Sequence, residues 1–310
     1  MALREIKEKI QSVKKTAKVT KAMESVSAVK MRRAQQVALS AREYAFFAFW
    51  ALKRLAKTAS RDIGEFFAET TGDKVGIVLV SPDKGLAGAI NTNLFKELEG
   101  FLEASALGKD SVGLVTVGKK AHEYAKRNSY EILHHVVQLG DAEEMGAFED
   151  ISALVQEEFT NGEYKAFYVL HTKFITTTEQ VALTRQVLPI TEDGIRRFIK
   201  QIVPKRGRFA EMADDYDFDK SDDVDYRFDP GPKAVMKNMV PYLIKISLYY
   251  ALLESKASEH SARMVAMKNA TDKAGEVAQD LKRQFNRQRQ AAITREISEI
   301  TSGMETTKEK

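Results

Sequence analysis

The two ends of this 310-residue chain are almost free of helix breakers, and that feature limits its folds more than any other. Residues 1–63 contain neither glycine nor proline, and residues 242–310 contain no proline and only Gly275 and Gly303. All six prolines and every other glycine fall between Gly64 and Pro241. A glycine costs ~1 and a proline ~3 kcal/mol inside a helix, so both ends are free to form long unbroken helices. Their periodicity argues that they do. Leu3, Ile6, Ile10, Val13 and Ala17 alternate spacings of three and four, and Ala34, Val37, Ala41, Tyr44, Ala48, Ala51 and Leu55 repeat the pattern. Near the other end, Leu243, Ile246, Tyr250, Leu253 and Ala257 do the same, followed by Met264, Met267, Thr271, Ala274, Ala278, Leu281 and Phe285.

That alternation is the seam of a coiled coil, so the two arms are expected to pair with each other as an antiparallel shaft. With a rise of ~1.5 Å per residue, each arm far exceeds the diameter of the domain between them, and much of the shaft is expected to project. The seam is rich in alanine, serine and threonine, which brings the helices close but buries little area; a surrounding partner would steady it.

The middle of the chain changes character. Residues 75–80 and 111–117 are apolar runs of strand length, 131–137 and 165–171 supply two more, and 179–188 reads as an edge strand. Helical patterns lie between them near 91–102, 119–127 and 148–159. Strands alternating with helices imply a Rossmann-like, mostly parallel sheet covered on both faces. The expected division is therefore an N-terminal helix over 1–63, a central α/β domain over 64–240 and a C-terminal helix over 241–310. Residues 205–232, with an acidic run and Pro230-Gly231-Pro232, read as a surface insertion.

The central domain offers little foothold for chemistry. After its first strand comes Ser81-Pro82-Asp83-Lys84-Gly85-Leu86-Ala87-Gly88, a glycine-containing turn that lacks both the three-glycine dinucleotide spacing and the Gly-Lys-Ser/Thr ending of a phosphate loop. The five histidines show no helical pairing of the kind that holds a metal, and the neighbours His134 and His135 point to opposite faces of a strand. With no cysteine, disulfides, thiolate metal sites and a cysteine nucleophile are excluded. No Gly-x-Ser-x-Gly turn presents a serine. Neither a catalytic site nor a cofactor is expected.

The net charge of +4 hides a division along the chain. Residues 1–36 carry 10 Lys/Arg against 3 Asp/Glu, and 211–229 carry 9 Asp/Glu against 2 Lys/Arg. Lys14, Lys15, Lys18, Lys21, Lys30, Arg32 and Arg33 suit a solvated coiled-coil surface, a nucleic-acid binder or an acidic protein collar. No aromatic residue lies in 1–40 for base stacking. No apolar run reaches the ~20 residues of a membrane span, and the start lacks a secretory signal, so a mature soluble chain is expected.

Two segments sharpen the reading. Residues 19–32, around Lys21-Ala22-Met23-Glu24, and residues 258–272, around Ala262-Arg263-Met264-Val265-Ala266-Met267, strongly resemble the terminal signatures of the gamma subunit of the rotary F-type ATP synthase, bacterial type. The stretch 286–297, with Arg289-Gln290-Ala291, is similar to that family's last helix, and 81–88 and 172–175 are similar to its central domain. The likeness covers nearly the whole chain outside 190–225.

The resemblance implies a central-stalk rotor that passes rotation of a membrane ring to catalytic beta subunits, coupling proton flow to ATP synthesis. It implies no catalytic site in this chain. Lys21, Met23 and Lys30 match the level at which the shaft meets the beta subunits. Arg289, Gln290 and Thr294 match the upper contact, and Phe228 and Asp229 match the foot on the ring. Implied partners are the alpha3beta3 hexamer, the epsilon subunit and the c-ring. One copy per complex would sit peripherally at the cytoplasmic face of the plasma membrane. The family commonly has Cys where this chain has Ala87; at the foot, Phe228 lacks a tyrosine hydroxyl and Asp229 is a methylene shorter than the usual glutamate. The rivals are a nucleic-acid-binding coiled-coil protein and a dinucleotide-dependent enzyme.

Overall fold

The computed structural model describes residues 3–58, 65–68, 70–138, 148–202, 229 and 231–308, which fall into two compact units. One comprises residues 28–263, and the other unites residues 1–27 with 264–310. Helix α1 (Leu3–Thr58) and helix α6 (Pro232–Lys308) each contribute to both.

The larger unit is built on five strands: β1 (Lys74–Val80), β2 (Val112–Val117), β3 (Glu131–Val136), β4 (Tyr164–Phe174) and β5 (Gln180–Leu188). Their order is β3-β2-β1-β4-β5, with β1 to β4 mutually parallel and β5 antiparallel to β4. Helices α2 (Ile90–Ala104), α3 (Lys119–Arg127) and α4 (Glu149–Thr160) supply the crossovers, and α5 (Glu192–Ile202) follows β5. Strands buried on both faces read as continuous apolar runs, as β1 and β2 do.

Alternation of side chains sorts the interior into two layers. Val75, Ile77 and Leu79 of β1 face Leu94, Leu98 and Leu102 of α2 and Ala121 and Tyr124 of α3. Val78 and Val80 face the other way, into a larger core with Phe148, Ile151, Val155 and Phe159 around α4, Ile195 and Phe198 of α5, Leu243 and Ile244 of α6, and Ala45 and Leu52 of α1. Gly76 belongs to this second face because Phe167 lies across it; a Cβ there would run into the ring.

In the smaller unit the helices meet along the anticipated seam. Ile6 and Met267 are buried. Leu3, Ile10, Val13, Ala17 and Thr20 of α1 are half-buried, as are Met264, Thr271, Ala274, Ala278, Leu281 and Phe285 of α6. The hydroxyls of Thr20 and Thr271 join across the seam at 2.7 Å.

The structure departs from the sequence reading in four places. Helix α6 begins at Pro232 and runs through Pro241, whereas the composition suggested a start at 241. Proline is well placed at a first helical position, and the interior one is held by the buried Val240, Leu243 and Ile244. Helix α5 was not anticipated; the Thr191 hydroxyl caps it by accepting the Gly194 amide at 2.9 Å. In the second half of α1, Ala34 is buried as expected, but the buried Ala38, Ala45 and Leu52 lie one residue on from the expected Val37, Tyr44 and Ala51, and Val37 and Ala51 are half-buried. Finally, α6 has no solvent face over residues 250–261, where every residue is buried. The acidic run 214–225 lies outside the described residues.

Candidate functional site

In the smaller unit the seam residues turn inward and leave a strongly basic outer surface. Lys14, Lys15, Lys18 and Lys21 are exposed; Lys21 holds Glu24 one turn on at 3.0 Å, and Met23 beside it is half-buried. Such an exposed pair adds little stability, so it leaves the lysine available to a stronger acidic partner. Val19 and Val26 are also exposed. Along α6, Arg289, Gln290 and Thr294 are exposed, as is every residue from 289 to 301. Ile293, Ile297 and Ile300 recur there at spacings of four and three, so they line one face of the helix in full view of solvent. In the larger unit, Lys30 is exposed on α1 next to Val29, which is 67% exposed. Asp229 is exposed, and Phe228 lies outside the described residues.

At the carboxyl end of the sheet is the turn that raised the question of phosphate. Asp83 answers it. Its carboxylate accepts the Lys119 amide at 2.8 Å and the Gln138 amide at 3.1 Å, so the position an anion would take at the start of α3 is filled by the chain itself. Ser81 accepts the Ala121 amide at 2.6 Å. The turn exposes Leu86, held at φ 62°, and Arg263 of α6 donates to the carbonyls of Lys84 and Gly85 at 3.3 Å.

Between β1 and β4 the strand order reverses, and in open α/β sheets a ligand normally sits in the crevice beyond such a point. Here α6 packs against that end of the sheet. Pairing of β4 with β1 ends at Leu170, yet β4 continues to Phe174. Beyond the last pair, the Thr172 amide donates to Ser255 at 3.2 Å and the Thr172 carbonyl accepts from Ser258 at 3.0 Å. Ser261 donates to the Thr177 carbonyl at 2.8 Å. Serines on a helix thus complete the hydrogen bonding of a strand edge.

Three ionisable groups are buried along the same contact. His171 Nε2 lies 3.0 Å from Glu254, whose other oxygen accepts from Tyr250 at 3.2 Å. Arg185 donates to the carbonyl and hydroxyl of Ser247 at 2.8 and 3.0 Å and stacks 4.2 Å from the centre of Phe198. Burial pushes His171 below its ordinary value, against the opposing pull of Glu254. Burial alone would raise the Glu254 carboxyl, but the hydrogen bond from His171 and the charges of Lys173 and Arg185 reverse this and hold it below the carboxylate range. Burial lowers Arg185 to about 10, so it stays charged at neutral pH. A neutral imidazole donating to a carboxylate, with a guanidinium nearby, leaves this interior close to charge-balanced.

The sequence reading named none of His171, Arg185, Glu254, Ser255 or Ser258 as functional. No signal set them apart: residues 254–261 are polar except for Ala257, so by sequence they read as a solvated helix surface. His135 of β3 stacks on His122 of α3 at 4.6 Å. Among the described residues no three His, Asp or Glu side chains form a metal-holding group.

Comparison with known proteins agrees with this arrangement. A family model described as ATP synthase matches residues 2–306. The chain is 35% identical over 307 residues to the ATP synthase gamma chain of Chloroflexus aurantiacus, covering 97% of both. It is 36% identical over 301 residues to that of Heliobacterium modesticaldum, again covering 97% of both. Among solved structures, a chain from the OSCP/F1/c-ring part of the Euglena gracilis mitochondrial ATP synthase superposes with a TM-score of 0.61 at 17% identity, covering 98% of this chain and 94% of that one. One from the central stalk and c-ring of the Tetrahymena thermophila enzyme gives 0.58 at 21% identity, covering 81% and 99%. The chain belongs to the family of ATP synthase gamma chains.

Proposed function

We propose that this chain is the rotor of the central stalk, turning with a membrane c-ring and driving the beta subunits of an alpha3beta3 hexamer through successive conformations. The observation that carries the reading is the unbroken run of exposed residues 289–301, whose aligned Ile293, Ile297 and Ile300 call for an apolar sleeve around the end of the helix. Within it, Arg289, Gln290 and Thr294 are the upper contacts. Lys21, Met23 and Lys30 are the contacts at the level of the beta subunits' acidic levers, where the basic surface of α1 finds its counterpart. Phe228 and Asp229 form the foot on the ring, and the epsilon subunit sits against the sheet. One rigid asymmetric element biasing bistable partners in turn is enough for coupling, and the chain itself needs no nucleotide. The filling of the sheet's crevice by α6 and of the α3 anion position by Asp83 supports that division of labour. No helix among the described residues is long and apolar enough to cross a membrane. A peripheral place at the cytoplasmic face, one copy per complex, fits the reading.

A tagged chain should co-purify with alpha and beta subunits, and Met23→Lys tests the lever level. Adding charge there should lower the protons pumped per ATP hydrolysed while hydrolysis continues. An unchanged ratio would remove Met23 from the contact.

A further inference from the structure

A rotor that receives torque on one part and delivers it from another must not slip internally. In the larger unit, sheet and α6 meet partly through apolar packing, which is non-directional and offers little resistance to a small rotation of a helix about its own axis. Hydrogen bonds differ, because they weaken steeply as their angle falls towards ~120°. With side chains reaching about 5 Å from the axis, a 20° twist moves their tips by roughly 2 Å, enough to break such a bond.

The polar contacts of α6 are placed to resist such a twist. Ser255 and Ser258 take the amide and the carbonyl of one strand residue, Thr172, and Ser261 takes the Thr177 carbonyl. Their partners are backbone groups at the end of β4 and just beyond it. Arg263 grips from elsewhere: at ~100° per residue it lies about 140° round the helix from Ser258. It holds the Lys84 and Gly85 carbonyls of the turn after β1, and Glu259 at 2.7 Å fixes its guanidinium. Two grips at different azimuths, both on main chain, define the rotational position of the helix.

Resting on the rotor reading, we propose that Ser255, Ser258, Ser261 and Arg263 are positioning residues forming a torsional key, which locks α6 to the sheet so that both turn as one body.

The key is tested in the assembled complex. The native chain has no cysteine, so Lys96→Cys, at an exposed position on α2, gives a single attachment point on this chain for a bead, coupled before assembly with the other subunits. The bead's angular variance is measured while the complex is stalled with a non-hydrolysable nucleotide. Ser258→Ala combined with Arg263→Met should raise the variance about twofold, since the remaining apolar contacts are non-directional. Ser258→Thr with Arg263→Lys, which keeps a hydroxyl and a cation, should recover part of the stiffness. If the first pair does not assemble, Ser261→Ala should give a smaller rise. An unchanged variance in an assembled variant overturns the key. A bead that does not rotate on ATP in the otherwise native complex overturns the rotor reading instead.

Discussion

His171 Nε2 lies 3.0 Å from Glu254 Oε2 with both side chains buried, so β4 and α6 are joined by a bond whose strength depends on protons. Burial holds His171 below its ordinary 6.5, so as pH falls through that value the unfolded chain takes up a proton that the folded chain refuses. Stability from this group is therefore full above about 6.5 and is lost on acidification. Glu254, held below the carboxylate range, adds a further loss at lower pH as it is forced to protonate. The thermal midpoint should fall between pH 7.5 and 5, with a shallower slope in His171→Gln; a midpoint that rises on acidification would refute the assignment. Glu254→Gln would remove a carboxylate whose charge favours the Arg185 guanidinium and should lower the thermal midpoint at neutral pH.

Thr20 and Thr271 share their hydroxyls across the seam, and Thr271 also donates to the Met267 carbonyl at 2.8 Å. Replacing either by alanine should cost about 1 kcal/mol. In a double-mutant cycle the double mutant should lose less than the sum of the two single losses, because the second hydroxyl has already lost its partner. Strict additivity in chemical denaturation would show that the pair does not couple the helices.

Gly76 is fixed by Phe167. Gly76→Ala places a methyl group inside the volume of the ring, and both strands are central, so neither moves aside easily. A loss of about 1–3 kcal/mol in urea unfolding is expected. Gly85, where an added Cβ meets nothing, serves as the control: Gly85→Ala should be close to neutral.

Arg289 has the opposite character, being exposed with no core contact. Arg289→Ala should leave the melting of the free chain within about 0.5 kcal/mol of the parent yet lower ATP synthesis in the assembled enzyme. Loss of stability with full synthesis would make it a structural residue.

The long helices were legible because breakers are absent and because the seam keeps its three-four spacing from Met264 to Phe285. The strands were legible because parallel strands buried on both faces leave uninterrupted apolar runs. Helix α5 escaped because its cap, Thr191, opens an amphipathic stretch of only eleven residues beside a long acidic segment that dominated the reading. The residues of the torsional key escaped for a different reason. Serine and glutamate in a helix normally mark its wet side, and only the packing of α6 against β4 reveals that here they face inward. The proposed contacts Lys21, Arg289, Gln290 and Thr294 came from resemblance, since their periodicity alone distinguishes them from no other solvated helix face.

The overhang of β4 past its partner has one more consequence. An amide and a carbonyl left open at the end of a strand invite pairing with a strand from another molecule. Because α6 also buries that amide and carbonyl, Ser255 and Ser258 keep them paired as well as covered. Replacing both serines by alanine should first lower the melting of the free chain, with self-association in light scattering following only where α6 separates from β4.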